Sequence, residues 1–141
     1  MPEIKKIEVV CAIIKDDKGR IFCTQRGKGR ALAGYWEFPG GKVEKDETHE
    51  QTIIREIKEE LDSEIEPIKF LIKIEHTYDD FADGFKGFHI TMYAYLCKLI
   101  KGNLTLKEHM ASTFVYPKDL KNLDFAKADE PIIDFLIRGD Y

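Results

Sequence analysis

The stretch that decides the fold is residues 41–63, which reads GKVEKDETHEQTIIREIKEELDS. Apolar residues recur there at helical spacing, which predicts a helix over residues 48–61. At roughly 100° per residue, Glu56, Glu59 and Glu60 then project within one arc of about 100°. A neighbouring apolar stripe, suited to packing on a core, consists of Ile53, Ile54, Ile57 and Leu61.

The carboxylate arc needs a counter-charge. Like charges three and four residues apart destabilise a helix by on the order of a few tenths of a kcal/mol per pair, and a divalent cation is the simplest compensation. Carboxylate oxygens favour Mg²⁺, with Mn²⁺ as an alternative, over zinc. A glutamate-rich helix face is also typical of a solvated surface, so a purely structural helix stays open on this pattern alone.

The complete stretch resembles the Nudix family signature, in which a glycine, a glutamate, an Arg-Glu pair and a Glu-Glu pair stand at fixed spacing. The matching residues are Gly41, Glu47, Arg55, Glu56, Ile57, Glu59 and Glu60. The signature continues with glycine and an aliphatic residue, where this chain has Asp62 and Ser63. Asp takes the left-handed conformation of a helix end at some cost, so this departure concerns the exit of the helix rather than the metal site.

Composition bounds the class of protein. A chain of 141 residues that is 43% hydrophobic and 34% charged predicts one domain, spanning residues 1–141. The net charge of −4, without a long basic block, argues against nucleic acid polymers and anionic membranes as partners. The absence of an 18-residue apolar run and of a signal-like N-terminus predicts a cytoplasmic protein. The protein is expected to be a monomer or a homodimer, between which the sequence does not choose. Reduced core thiols are expected at Cys11, Cys23 and Cys97.

Apolar, β-branched and aromatic runs predict strands over residues 7–15, 20–25, 35–41, 67–77, 88–99 and 112–116. The first two are expected to form a hairpin around residues 16–19. Residues 78–87 are predicted to be a long, mobile hairpin loop with solvated aspartates, and helices are predicted over residues 117–123 and 129–138. The Nudix resemblance implies an α/β fold, an α/β/α sandwich with a mixed β-sheet.

A metal site is implied by the same resemblance. It places the carbonyl of Gly40 with the helix carboxylates Glu56, Glu59 and Glu60 around Mg²⁺, and it adds Glu108 from a later loop. Arg55 carries a guanidinium that can fork onto Glu47, tie the loop to the helix and orient the ligands.

A nucleotide pocket is expected next to this metal site. The resemblance implies that Glu37 and Phe38 line it. Arg26 directly follows a predicted strand, which holds its side chain at the mouth of the site. Lys42 lies just after the glycines, where an ammonium can neutralise a phosphate, with an ordinary surface lysine as the alternative. His49, near the start of the helix, is predicted to be exposed and inert.

Asp129 is the candidate specificity residue. Its alternative role is that of a helix N-cap just ahead of Pro131. The resemblance places this position at the base pocket, where some MutT-like members carry Asn. A carboxylate there accepts hydrogen bonds from an exocyclic amine of a base, and in protonated form it also donates one.

Together these features predict a Mg²⁺-dependent nucleoside triphosphate pyrophosphohydrolase that converts (d)NTP and water to (d)NMP and pyrophosphate. The resemblance to the MutT-like branch favours (d)CTP-type or oxidised nucleotides such as 8-oxo-dGTP as substrates. A hydrolase of another nucleoside diphosphate compound and a non-catalytic nucleotide-sensing module remain alternatives. Sensing modules usually lose signature glutamates, whereas this chain keeps them.

Overall fold

The computed structural model describes residues 4–139 and 141, and these residues form two β-sheets and two α-helices. The strands are β1 (Lys5–Ile14), β2 (Ile21–Gln25), β3 (Trp36–Glu37), β4 (Gly40–Lys42), β5 (Glu64–Tyr78), β6 (Phe88–Lys101) and β7 (Ala111–Val115). The helices are α1 (His49–Leu61) and α2 (Glu130–Arg138), and short 3-10 helices span Pro117–Asn122 and Lys127–Asp129. None of the helices in the described part of the chain has the length and apolar character needed to cross a membrane.

Strand β1 forms the centre of the fold. In the four-stranded sheet, of order β4-β1-β6-β5, it pairs with β6 in parallel and with β4 in antiparallel orientation. Its C-terminal half is buried on both faces, as its continuous apolar run predicts. Val10, Ala12 and Ile14 pack in one core cluster with α1, and Cys11 and Ile13 pack in the other with α2. The helices therefore lie on opposite sides of β1, which confirms the expected α/β/α arrangement with a mixed sheet.

The predicted hairpin between the first two strands is wrong. Residues 15 and 21 form a single antiparallel bridge, and β2 then leaves for a second sheet of order β3-β2-β7. In that sheet β2 pairs with β7 over its full length, from Ile21 opposite Val115 to Gln25 opposite Ala111. The turn at residues 16–19 forms as expected, but a distant strand competes successfully for the edge of β2.

The second predicted hairpin is confirmed, because β5 and β6 pair in antiparallel orientation from Glu64 to Tyr78. Their connection spans residues 79–87 and is held by its own contacts. The N–H of Phe81 donates to the carbonyl of Phe85 at 2.8 Å, and the N–H of Gly87 donates to Asp80 Oδ1 at the same distance. The Asp80 carboxylate thus caps the loop backbone.

Helix α1 matches its prediction in extent but differs in two side chains. Ile54 is 44% exposed, whereas Thr52 is fully buried and completes the inward face instead. His49 is half-buried: its Nδ1 lies 2.9 Å from the hydroxyl oxygen of Tyr95, and its ring packs 4.2 Å from that of Tyr93. The prediction that His49 is exposed is therefore wrong, since β6 presents two tyrosines to the N-terminus of α1; that it takes no part in the chemistry stays a prediction.

Candidate active site

A cavity of about 380 Å³ opens between α1, the end of β4, the segment after β2 and the turn before α2. Most of the side chains proposed from the sequence for metal and nucleotide binding line it. They are Arg26, Glu37, Phe38, Gly40, Lys42, Glu56, Glu60, Glu108 and Asp129. Three proposed residues do not line the cavity: Glu47, Arg55 and Glu59.

Arg55 organises the helix end of the cavity. Its Nε donates to Glu47 Oε2 at 2.7 Å and its Nη2 donates to Glu47 Oε1 at 2.9 Å, which is the predicted fork. Its Nη1 donates to Glu56 Oε1 at 2.8 Å. The hydrogen bond from Arg55 lowers the pKa of Glu47 to about 2. The guanidinium therefore ties the loop before α1 to the helix and fixes one face of the Glu56 carboxylate.

Glu59 lies at the outer edge of this group. Its side chain is 58% exposed, and its Oε2 lies 3.4 Å from Arg55 Nη1. The structure thus brings Glu56 and Glu60 into the cavity and leaves Glu59 at the rim.

Glu60 is a buried carboxylate with one oxygen unused. Its Oε2 has no hydrogen-bond partner among the described residues. Burial raises the pKa of Glu60 first, and the neighbouring carboxylates of Glu56, Glu37 and Glu108 raise it further. Several carboxyl groups thus converge on one buried oxygen that no hydrogen bond in the described part of the chain satisfies.

Glu108 is held opposite α1 by backbone contacts on both sides. The N–H of Lys107 donates to the carbonyl of Glu60 at 3.1 Å, and the N–H of Met110 donates to the carbonyl of Gln25 at 2.9 Å. The chain between these anchors places Glu108 on the cavity wall, near the helix carboxylates. This is the relation that the Nudix resemblance implies for a ligand from a loop.

The donor set at this end fits a hard divalent cation in chemistry and charge. The orphaned oxygen of Glu60 and the adjoining carboxylates are oxygen donors of the kind that Mg²⁺ takes. Gly41 has no room for a side chain, because a Cβ there would overlap the Glu56 carboxylate. Within residues 4–139 and 141, no three acidic, histidine or cysteine side chains already stand in a ligand arrangement. The fit is therefore one of donor type, charge and space.

Arg26 and Glu37 lie between this end of the cavity and the opposite end, which is lined by Phe38 and Asp129. The opposite end is called the base end below, because the sequence analysis predicts that a nucleotide base binds there. Arg26 Nη1 lies 3.3 Å from Glu37 Oε2, and Arg26 Nε donates to the carbonyl of Ala31 at 2.6 Å. Lys42, at the exposed end of β4, also faces the cavity, and its carbonyl accepts a hydrogen bond from Arg55 Nη2 at 3.3 Å. Two cationic side chains thus flank the route from the carboxylates to the base end.

The base end is apolar apart from one acid. Phe38 is 3% exposed and packs against Phe125 with ring centroids 5.1 Å apart, so it serves both the core and the cavity wall. Asp129 is 4% exposed and occupies the N-cap position of α2, but its side chain makes no capping hydrogen bond. The N-cap alternative is therefore wrong for the carboxyl group. Burial raises the pKa of Asp129 well above its ordinary value, and the charge of Glu37 adds to the effect.

The structure adds two cavity residues that the sequence did not single out. The side chain of His109 is 3% exposed, with Nε2 lying 3.6 Å from Glu37 Oε1 and 4.0 Å from Glu60 Oε2. Tyr78 is 8% exposed, and its hydroxyl accepts a hydrogen bond from the N–H of Ala128 at 2.8 Å. Adjacency to Glu108 was a signal for His109. No local pattern marks Tyr78, whose partner lies 50 residues away.

Comparisons with known proteins agree with this geometry. A family model of the NUDIX domain matches residues 5–136. An 8-oxo-dGTP diphosphatase of Escherichia coli (strain K12) is 32% identical over 135 residues, which cover 96% of this chain and 99% of that protein. A CTP pyrophosphohydrolase of the same strain is 34% identical over 131 residues, which cover 93% of this chain and 91% of that protein.

A solved structure shows the same likeness in three dimensions. The solution NMR structure of MutT, a Nudix hydrolase of methicillin-resistant Staphylococcus aureus 252, has a TM-score of 0.70 and 38% sequence identity. The match covers 97% of this chain and 100% of that chain. Family model, relatives and structure point the same way, and the chain belongs to the Nudix hydrolase family, in its MutT-like branch.

Proposed function

We propose that the protein is a Mg²⁺-dependent nucleoside triphosphate pyrophosphohydrolase. It converts (d)NTP and water to (d)NMP and pyrophosphate, with (d)CTP-type nucleotides or oxidised nucleotides such as 8-oxo-dGTP as substrates. The relatives named above as an 8-oxo-dGTP diphosphatase and a CTP pyrophosphohydrolase support this substrate class. We place the activity in one domain of residues 1–141, and in the cytoplasm, because Cys11, Cys23 and Cys97 are free and buried.

The observation that carries the proposal is a single cavity with two chemically different ends. Glu56 and Glu60 concentrate carboxylate oxygens at one end, whereas Phe38 and Asp129 offer an apolar wall and a buried carboxyl group of raised pKa at the other. A nucleoside triphosphate has the matching polarity, with a charged phosphate chain on one side and a flat base on the other. Arg26 and Lys42 lie beside the route between the ends, where they can contact phosphate oxygens.

We propose that the cation is held by carboxylates of α1 and of the later loop, together with one backbone carbonyl. The groups are Glu56, Glu60, Glu108 and the Gly40 carbonyl, with Glu59 at the rim. When bound, Mg²⁺ supplies neutralisation of phosphate charge and polarisation of a water molecule. Arg55 keeps Glu56 oriented through its short hydrogen bond, and Glu47 keeps Arg55 in place.

The proposed reaction attacks the β-phosphorus. Water adds its oxygen to that phosphorus, and the bond from the β-phosphorus to the oxygen bridging it to the α-phosphorus breaks. The bridging oxygen leaves with the nucleoside monophosphate, and the carboxylate cluster takes the water proton. At the other end, Phe38 covers the base, and the carboxyl group of Asp129 accepts hydrogen bonds from the edge of the base and, in its protonated form, also donates one.

The test compares two conservative changes on the same helix. Glu60→Gln removes a cation-binding oxygen without changing the shape, and we expect it to lower kcat by about a hundredfold or more. Its melting temperature should stay close to that of the wild type, because burial raises the pKa of Glu60 to about 9 and glutamine has the shape of the neutral acid. Glu59→Gln, at the exposed rim, should cost much less activity. Near-normal turnover by a folded Glu60→Gln protein would refute the proposed role of this cluster.

A further inference from the structure

Tyr78 ends strand β5 at the wall of the cavity, beside the base end described above. Its ring is fixed on two sides, with centroids 5.2 Å from that of Phe88 and 5.7 Å from that of Phe81. Gly87 allows the 79–87 loop to return against the backbone of Tyr78, since a Cβ at that position would overlap the Tyr78 carbonyl. The loop thus holds the phenol in one place.

The hydroxyl of Tyr78 connects this loop to the turn that carries Asp129. It accepts the N–H of Ala128 at 2.8 Å in a buried hydrogen bond, and Ala128 directly precedes Asp129. The carboxyl group of Asp129 makes no capping bond of its own to α2. The orientation of Asp129 therefore depends on how its backbone turn is held, and Tyr78 supplies a buried contact to that turn.

The phenolic proton is available for a ligand. The hydroxyl oxygen accepts from Ala128, and no acceptor among the described residues takes its hydrogen. Burial raises the pKa of Tyr78 to about 12, so the proton stays in place at neutral pH. A fixed O–H group on a cavity wall is suited to donating a hydrogen bond to a carbonyl or ring-nitrogen acceptor on a base.

We propose that Tyr78 is a specificity-determining residue, whose hydroxyl positions the turn bearing Asp129 and donates to an acceptor on the edge of the bound base. The inference rests on the proposed function of the cavity, which it deepens by assigning part of the choice of base to the end of β5. It predicts that the hydroxyl affects discrimination among bases and leaves the phosphate end unchanged.

The test is Tyr78→Phe, with Tyr95→Phe as the matched control. Both remove one hydroxyl and keep the ring, but the Tyr95 hydroxyl bonds His49 and lies outside the cavity lining. Steady-state kinetics with Mg²⁺ on CTP, dCTP, dGTP and 8-oxo-dGTP should show KM for the preferred nucleotide raised about fivefold or more in Tyr78→Phe, because the base loses a hydrogen-bond donor and the turn bearing Asp129 loses a buried contact. Its kcat should change little, and the ratio of kcat/KM between the best and worst bases should narrow.

Two further measurements separate positioning from general damage. Inhibition by inorganic triphosphate, which has no base, should be the same in Tyr78→Phe and wild type. Hydrogen exchange at the Ala128 amide should speed up in Tyr78→Phe and not in Tyr95→Phe. Unchanged base selectivity in Tyr78→Phe, or an equal loss of kcat on every nucleotide with selectivity kept, would overturn the assignment.

Binding of CMP and 8-oxo-dGMP, measured by calorimetry without metal, keeps this result separate from turnover. If the wild type hydrolyses no nucleoside triphosphate, the proposed function fails. A narrowed preference between the two monophosphates in Tyr78→Phe would still support the role of Tyr78, and an unchanged preference would contradict it.

Discussion

Asp129 shows how one position can satisfy a local pattern while its side chain serves another purpose. Its place before Pro131 is typical of a helix N-cap, and its backbone does occupy that position. Its carboxyl group instead lies buried at the base end of the cavity, where burial and the charge of Glu37 raise its pKa. Tertiary packing determines whether the side chain caps the helix or lines the cavity, and the local sequence pattern carries no information about that packing.

This buried acid makes the metal-free protein sensitive to pH. Between the unfolded pKa, about 4, and the raised folded pKa, the folded chain keeps a proton on Asp129 that the unfolded chain releases. Stability is therefore greatest below the unfolded pKa and falls as pH rises toward the folded pKa. Melting curves in the presence of EDTA should show a melting temperature that falls as the pH is raised above the unfolded pKa.

Asp129→Asn is the variant that checks this assignment. It keeps the shape and removes the titrating group, so its melting temperature should fall less steeply over the same range. The residual slope should come from Glu60, whose pKa is also raised. A wild-type slope that is flat, or equal to that of Asp129→Asn, would contradict a proton held on Asp129.

At the scale of the element, helix α1 was predicted from the spacing of its apolar residues, and the structure shows how its two ends are closed. Thr48 and Gln51 form a capping box at its start, with the Thr48 hydroxyl accepting the Gln51 N–H at 3.1 Å. At its end Asp62 takes the left-handed conformation, with φ 49° and ψ 43°. The buried Ser63 hydroxyl then donates to the carbonyl of Leu61 and accepts the N–H of Leu104, each at 2.9 Å. Of the two residues that depart from the family signature, Ser63 is accommodated by these hydrogen bonds, whereas Asp62 adopts a strained left-handed backbone conformation.

Asp62→Gly should stabilise the protein. Glycine removes the steric penalty of the left-handed backbone and the negative charge at the helix C-terminus, which together predict a gain of about 1 kcal/mol in the free energy of unfolding. The loss of the exposed Lys58–Asp62 ion pair, 3.5 Å apart, should offset little of this. Urea denaturation measures the change, with Asp62→Asn as a control that removes the charge alone. A less stable Asp62→Gly protein would show that Asp62 is not strained.

Strand pairing shows where prediction from the sequence ends. The β5–β6 hairpin was predictable because its two apolar runs are neighbours along the chain and pair with each other. The expected β1–β2 hairpin failed because β2 pairs with β7, which lies about ninety residues further along the chain. Turn chemistry determines where the chain bends, whereas the partner of a strand depends on every other strand that competes for its edge.

At the scale of the whole molecule, contacts between distant parts of the chain again limit what the sequence predicts. The fork of Arg55 on Glu47 was predictable, because both residues lie within one short, strongly patterned stretch. Tyr78 meets the turn before α2 only in the assembled fold, so no neighbour in the sequence marks it. His109 adjoins Glu108 in the sequence, but its contacts with Glu37 and Glu60 depend on how the chain before β7 is placed. The cavity itself is a product of the assembled fold, with its acidic end on α1 and its base end beside α2.

The central claim is that this cavity hydrolyses a nucleoside triphosphate at the β-phosphorus. The most direct measurement is a product analysis in water labelled with oxygen-18, with Mg²⁺ and a panel of CTP, dCTP, dGTP, 8-oxo-dGTP and ADP-ribose. We predict nucleoside monophosphate and pyrophosphate in equal amounts, with the label in pyrophosphate and with a triphosphate of the CTP or 8-oxo-dGTP type turned over fastest. Release of orthophosphate and nucleoside diphosphate, label in the monophosphate, or no turnover of any triphosphate would contradict it.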